Sequence, residues 1–322
     1  MSLNVIVIGT VFMDCKGWAK EEYNPLGRNL GNIKFVHGGV GRNVAENLSR
    51  LAIPTTFVSS VDKTPIGQDV LNRLHKAGVD VRYIDNSSSR GMGMWLVILD
   101  EKGELTGSIS QMPRLDILDK IINSEGEAFV NSASHIALEL DLNDAITKSV
   151  LALAKTYKKP VYGIPGNLDV IRRNMNILSG LECFICNDIE AGRLLGISLS
   201  ALNIDDMQAE LIKFVKNHGL ISMVITLGSK GSIYYDSRIE KVGYQPVFPV
   251  KVVDSSGAGD AFFSGTVMGL VHKMPLEQSV VIGTKVASWT IESQENNCTD
   301  LQLRTAEDDL FKNLIVNGLR MA

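Results

Sequence analysis

Short apolar runs alternate along this chain with longer segments in which apolar residues recur at helical spacing, and Gly, Pro, Asn or Asp mark many of the boundaries. The runs predict strands at 3–8, 55–59, 134–139, 160–164, 182–186, 221–226, 232–235 and 250–253. The periodic segments predict helices at 42–52, 67–77, 143–157, 188–195, 205–218, 258–273, 276–293 and 306–319. Strands joined through helices are the pattern of a mainly parallel sheet, because parallel neighbours need long crossovers. Ligands of such sheets bind outside the carboxyl ends of the strands, so chemistry is expected in the loops that follow them.

Residues 91–110 break the alternation: they read as two strands around Asp100-Glu101-Lys102-Gly103 with no helix between. With the Gly- and Asn-rich stretch 27–36 they predict a small β appendage on the main sheet, drawn from about 12–36 and 90–111. It is either a lid over a site or a cover for a sheet edge. A length of 322 residues suits one α/β domain, 1–322, with that appendage. A net charge of -4 and a pI near 5.8 weigh against a nucleic-acid surface and favour a small-molecule partner. No stretch reaches the roughly 18 uninterrupted apolar residues of a membrane span, and the run 3–8 lacks the basic leader of a signal peptide. The cysteines at 15, 183, 186 and 298 are too few and scattered for a disulfide framework and suit a reducing cytoplasm. Cys183 and Cys186 fall in an apolar run that reads as core, and the five histidines show no zinc-ligand spacing.

Two glycine-rich loops each open a helix. In Asp254-Ser255-Ser256-Gly257-Ala258-Gly259-Asp260 an apolar run precedes the loop and an apolar helix follows it. Free N–H groups and the positive dipole end of a helix favour phosphate or a developing oxyanion, and a first-turn Asp260 would be held ionised by the same dipole. An anion cradle beside a carboxylate suggests phosphoryl transfer to a hydroxyl; a plain turn with a capping charge fits equally well. In His37-Gly38-Gly39-Val40-Gly41-Arg42-Asn43 the glycine N–H groups and the Asn43 amide suit the hydroxyls of a polyol, or form a tight turn only. That loop is neither a dinucleotide fingerprint nor a Walker A loop. Asp14 follows the first strand, where a carboxylate suits vicinal hydroxyls. Asn187 and Glu190 either support a hard cation such as Mg²⁺ through water or form a helix-capping pair. The turn Thr226-Leu227-Gly228-Ser229-Lys230-Gly231 is a nucleotide slot or a simple connection.

Taken together, these loops resemble the ribokinase-like, or PfkB, carbohydrate kinases. Asp254 to Asp260 resemble the C-terminal signature of that family and Gly38-Gly39 with Asn43 the N-terminal one; Asn187, Glu190, Thr226, Gly228 and Gly231 follow in family order. The stretch from Gly31 to Asn43, with Asn296-Asn297, is most similar to the pseudouridine kinase branch. The resemblance implies a three-layer α/β/α fold with a mainly parallel central sheet and a small β lid, and an enzyme that uses ATP and Mg²⁺ to phosphorylate a primary hydroxyl. The implied acceptor is pseudouridine; another nucleoside, ribose, another sugar or a sugar phosphate (held through Lys34, Arg42 or Arg90) are alternatives, as is a catalytically silent binding protein. By motif, Asp260 would be the general base and the N–H groups of Gly257, Ala258 and Gly259 the anion hole. Asp14, Gly38, Gly39 and Asn43 would hold the acceptor, with Asp141 in a lid-side role. Asn187, Thr226, Gly228 and Gly231 would line ATP together with Gly257 and Gly259, Glu190 would hold Mg²⁺ through water, and Asp254 and Ser256 a monovalent cation such as K⁺. Ser255 stands where the family usually has Thr, and Gly163-Ile164-Pro165-Gly166-Asn167 lacks an expected Asp. An exposed apolar face on the lid would make the protein a homodimer.

Overall fold

The computed structural model describes residues 3–140, 142–166 and 168–317. The first strand, β1 (Val5–Ile8), is buried on both faces, as an unbroken Val/Ile run requires. The chain then leaves for two strands of a small sheet, β2 (Phe12–Ala19) and β3 (Gly31–Gly38), and returns through α1 (Val40–Arg50), β4 (Thr55–Ser60), α2 (Pro65–Lys76) and β5 (Asp80–Asp85). The hairpin β6 (Gly93–Leu99) and β7 (Leu105–Gln111) completes the small sheet. Alternation resumes with α3 (Leu115–Ser132), β8 (His135–Glu139), α4 (Asp144–Thr156), β9 (Val161–Ile164), α5 (Asp169–Arg173), β10 (Cys183–Asn187), α6 (Asp188–Leu195), α7 (Ile204–His218) and β11 (Ser222–Thr226). The strands β12 (Ser232–Asp236) and β13 (Lys241–Gln245) close the sheet edge, and α8 (Ala258–Val271), α9 (Leu276–Ile291), α10 (Leu301–Glu307) and α11 (Asp309–Asn317) end the described chain.

The large sheet has nine strands in the order β13-β12-β11-β10-β9-β8-β1-β4-β5, parallel from β11 to β5, with β12 and β13 antiparallel at one edge. Two apolar clusters cover its faces, one built with α1, α2, α8 and α9 and the other with α3, α4 and α7, so the α/β core has three layers. The small sheet runs β3-β2-β6-β7, with β2 and β6 parallel and the other pairs antiparallel. The paired cysteines of the apolar run lie buried in β10, and Cys15, Cys183, Cys186 and Cys298 are all free thiols.

Several elements differ from the sequence reading. The segment 250–253 is not a strand. Pro246 and Pro249 precede it, Val252 and Val253 are exposed, and the N–H groups of Val253 and Asp254 donate to the Ile291 carbonyl at the end of α9. The helix α3 escapes the sequence reading because Asn and Ser break its exposed face and Gly126 interrupts the buried stripe of Leu118, Ile122, Phe129 and Val130. The strand β5 is a charged edge strand, and β13 is mostly open to solvent, so neither shows an apolar run. The predicted helix 306–319 begins earlier and is broken at Asp308 into α10 and α11.

Candidate active site

Strand order reverses at β1: the chain passes first to β4 and β5 on one side, and later to β8 and its successors on the other. A crevice therefore opens at the carboxyl ends of β1 and β8, the place where open α/β sheets bind ligands. Glu139, the last residue of β8, spans it. Its carboxylate accepts from the Thr10 N–H at 2.7 Å, the Thr10 hydroxyl at 2.8 Å and the Gly41 N–H at 2.9 Å, which ties β1, α1 and β8 together. Burial raises its pKa against those three donors. Sequence reasoning passed over Glu139, although a carboxylate ending the apolar run His135-Ile136-Ala137-Leu138 was the available signal. The acidic residue chosen instead, Asp141, lies outside the described residues, as does Asn167.

The two glycine loops meet here. Gly39 caps α1 at a φ of 94°, and a Cβ on it would come within 2.6 Å of the Thr10 carbonyl oxygen. Gly257 caps α8 at a φ of 76°, where a Cβ would come within 2.0 Å of the Asn296 carbonyl oxygen. These helix starts bring Asn43 and Asp260, 217 residues apart, into contact: Asn43 Nδ2 donates to Asp260 Oδ2 at 2.6 Å. The Asn43 amide is oriented from behind, because the fully buried Arg42 donates to Asn43 Oδ1. Arg42 also donates to Glu46 at 2.5 Å, to Asn297 Oδ1 at 2.8 Å and to the carbonyls of His37 and Gly38.

A cavity of about 430 Å³ opens on these groups, lined among others by Thr10, Asp14, Asn43, Glu139, Gly257 and Asp260. Asp14, on β2, is buried; burial raises its pKa, while Asn296, Lys16 and Arg42 oppose the rise. Gly38 packs directly against it, since a Cβ there would lie 2.7 Å from either carboxylate oxygen. Phe12 and Trp95 line the same cavity, and in the small sheet Trp95 stands opposite Asp14 in register.

Asp260 departs from expectation. Burial pushes its carboxyl up to about 7, with Glu139 and Glu190 adding to the rise and the Asn43 hydrogen bond and Arg42 opposing it. An edge of the side chain opens to the cavity, yet the surrounding protein density outweighs the dipole that was expected to keep it ionised. Of the three N–H groups expected to form an anion hole, that of Ala258 donates to the Ser255 carbonyl at 3.2 Å. Those of Gly257 and Gly259 have no acceptor among the described residues, as expected for a helix start. Asp254 and Ser256, expected to hold a monovalent cation, also meet the chain's own Lys16, whose Nζ lies 3.5 Å from Asp254 Oδ2 and donates to Ser256 Oγ at 3.2 Å. Lys16 carried no sequence signal.

Asn187 and Glu190 form a reciprocal capping box on α6: each backbone N–H donates to the other's side chain at 2.8 Å. One Glu190 oxygen is thereby occupied. Among the described residues no three carboxylate, His or Cys side chains converge on a point that could hold a metal. The capping bond uses Glu190 Oε2, and its second oxygen is of the kind that would hold a hard cation such as Mg²⁺ through water. Thr226 ends β11 in register with Asn187, and Gly228 and Gly231 form the turn after it, both at positive φ. These three residues share the carboxyl edge of the sheet with the cavity but do not line it.

The chain matches the family described as pfkB family carbohydrate kinase over residues 2–300. It is 35% identical over 292 residues to the guanosine-inosine kinase of Exiguobacterium acetylicum, covering 91% of this chain and 95% of that one. It is 27% identical over 302 residues to the pseudouridine kinase of Escherichia coli, covering 93% and 94%. Among solved structures it superposes on the ribokinase of Arabidopsis thaliana complexed with ribose and ATP with a TM-score of 0.78 at 21% identity, covering 91% of this chain and 94% of that one, a likeness of fold.

Proposed function

Because the chain belongs to the pfkB family of carbohydrate kinases, we propose that it transfers a phosphoryl group from ATP to the 5′-hydroxyl of a nucleoside. One observation carries this reading: a carboxylate poised near neutrality, Asp260, sits between open helix N–H groups and a cavity walled by hydroxyl acceptors. Asp260 takes the proton of the acceptor hydroxyl, and Asn43 fixes the carboxylate through one oxygen. Asp14 and Glu139 face the acceptor's remaining hydroxyls, and the N–H groups of Gly257 and Gly259 meet the charge that develops on the phosphoryl oxygens. Mg²⁺, when bound with ATP beside Glu190, neutralises phosphate charge. Asn187, Thr226, Gly228 and Gly231 line the nucleotide in this reading, and any K⁺ at Asp254 would share that carboxylate with Lys16.

Phe12 and Trp95 favour a nucleoside over a bare sugar, since a flat base has two rings to pack against beyond the ribose acceptors. A second phosphate on the acceptor has no obvious holder. Arg42 is fully engaged, Lys34 pairs with Glu295 at 3.3 Å, and neither these nor Arg90 lines the cavity. The 35% identical relative favours guanosine or inosine as the base. The loop from His37 to Asn43 and the Asn296 contact to Asp14 keep pseudouridine as the second reading. The test is ADP release with Mg-ATP against guanosine, inosine, pseudouridine, uridine, ribose and fructose phosphates. A nucleoside is expected to exceed ribose in kcat/KM by about tenfold or more. Faster turnover of ribose or a sugar phosphate overturns the nucleoside assignment, and turnover of nothing leaves the silent binding protein.

The small sheet acts in this proposal as a lid and a dimer surface. Its cavity-facing side carries Asp14, Lys16, Lys34 and Trp95, while its other side exposes Ile33 (72%), Phe35 (57%), Leu96 (41%) and Ile109 (70%). A continuous apolar face of this kind is unusual on a monomer. Light scattering is expected to give twice the monomer mass of 35.1 kDa, and F35D to give the monomer. A monomeric wild type at micromolar concentration would refute the dimer.

A further inference from the structure

Lys16 is a buried cation beside the start of α8 with no role in the proposal above. It lies on the inner face of the small sheet, two residues from Asp14, with only 7% of its surface exposed. A buried ammonium is expected to hold its partners tightly. Here both contacts are long for a charged donor, 3.5 Å to Asp254 Oδ2 and 3.2 Å to Ser256 Oγ, where about 2.7–2.9 Å is usual. Ser256 lines the cavity and directly precedes Gly257, whose N–H is open. The ammonium thus stands beside the start of α8 with loose bonds and a third hydrogen to give.

The other nearby cations are committed. Arg42 is locked by Glu46, Asn43, Asn297 and two carbonyls, Arg73 by Glu46 and Glu295, and Lys34 by Glu295 and the Gln294 carbonyl. Phosphoryl transfer spreads negative charge over three equatorial oxygens, which two neutral N–H groups meet only in part.

We propose that Lys16 is a catalytic residue of this kinase: its ammonium exchanges the loose pair with Asp254 for an equatorial oxygen of the phosphoryl group in flight. In that step the acceptor oxygen forms a bond to phosphorus, the bond from phosphorus to the β,γ-bridging oxygen breaks, the hydroxyl proton goes to Asp260, and ADP leaves. Lys16 makes and breaks no covalent bond. Because Asp14 and Lys16 share one face of one strand, acceptor bound at Asp14 sets the position of the ammonium. The inference rests on the kinase reading above.

The test uses K16M and K16R with whichever acceptor the wild type turns over best. K16M is expected to lower kcat about 100-fold with KM for both substrates within about threefold, and K16R to recover most of the loss. Calorimetry supplies a second readout in the presence of acceptor. ADP with tetrafluoroaluminate, a mimic of the phosphoryl in flight, is expected to bind K16M about 100-fold more weakly, while ADP alone binds within about threefold of wild type. Equal losses for the two ligands would mean that Lys16 merely braces the loop, and an unchanged kcat would remove it from catalysis; either overturns the inference alone. A wild type that turns over none of the acceptors overturns the kinase reading and this inference with it.

Discussion

Replacing Asp260 by Asn is expected to lower kcat by about 10²–10⁴-fold while leaving KM for both substrates little changed. Asn keeps the shape of the side chain, and its carbonyl oxygen can still accept from Asn43 Nδ2, so the two helix starts stay joined. What is lost is the lone pair that takes the proton. The pH dependence gives a second reading of the same residue. With its carboxyl pushed up to about 7 by burial, Asp260 is half protonated near neutrality, and only the ionised form can act as base. For wild type, kcat/KM is therefore expected to rise as pH passes through about 7. Stability runs the other way. A carboxyl whose folded pKa lies above its unfolded value stabilises the fold most fully below the unfolded value of 3.8, and that contribution is lost as pH rises through about 7. The Asn variant carries no such charge, so its melting temperature above pH 7 is expected to equal or exceed that of wild type. A kcat/KM that stays flat across neutral pH, or a variant with wild-type turnover, would sink the assignment of Asp260 as base.

The parts of this site that could be read from the sequence are those whose chemistry is local. A glycine loop opening a helix announces itself through residue types a few positions apart, which is why Gly39, Asn43, Gly257 and Asp260 were found. Their meeting was legible only through the family resemblance, because a contact across 217 residues leaves no periodic trace. Glu139 and Lys16 were missed for a related reason. Each is a single charge in a strand, and its meaning comes from the elements that pack on it: Thr10 and Gly41 for one, Asp254 and Ser256 for the other. The ionisation of Asp260 was misread because position in the helix was weighed without burial. The apolar stretch 250–253 shows the converse error. A β-branched run is a strand only if its backbone pairs with a neighbour, and here Pro249 precedes the run while the Val253 and Asp254 N–H groups are taken by the Ile291 carbonyl. In sequence the Asn187–Glu190 pair suits metal support and capping alike; its reciprocal hydrogen bonds meet the capping requirement in full while leaving one carboxylate oxygen for a cation.

Replacing Glu46 by Gln is expected to destabilise the protein by about 3–5 kcal/mol, the usual cost of removing one partner from a buried ion pair. Glu46 has no exposed surface and receives three guanidinium groups: Arg42 at 2.5 Å, Arg73 at 2.9 Å and Arg50 at 3.0 Å. Burial alone would raise its pKa, yet the three arginines override burial and hold it down at about 2. Arg42 has no exposed surface either, so in the Gln variant its charge is left with only amide and carbonyl oxygens. At a length of 322 residues the loss corresponds to a fall in Tm of roughly 4–7 °C. The acid limb is informative as well. A carboxyl with a depressed folded pKa stabilises above its unfolded value of 4.5 and loses that contribution as pH falls toward about 2, so wild type and variant are expected to converge in acid. The damage is also expected to reach catalysis, through Arg42. That guanidinium holds the oxygen of the Asn43 amide and so turns its nitrogen toward Asp260. Once Arg42 is loosened, the amide can rotate, the carboxyl loses a bond that lowers its pKa, and the rise of kcat/KM with pH is expected to move to higher pH. Thermal melts at pH 7 and a pH profile of the variant check both parts, and the E46L/R42M double variant separates them. It removes both charges and is expected to regain stability over the single Gln variant, but it leaves the Asn43 amide unheld and is not expected to regain turnover. A Tm within about 2 °C of wild type for the single Gln variant would refute the buried-charge argument.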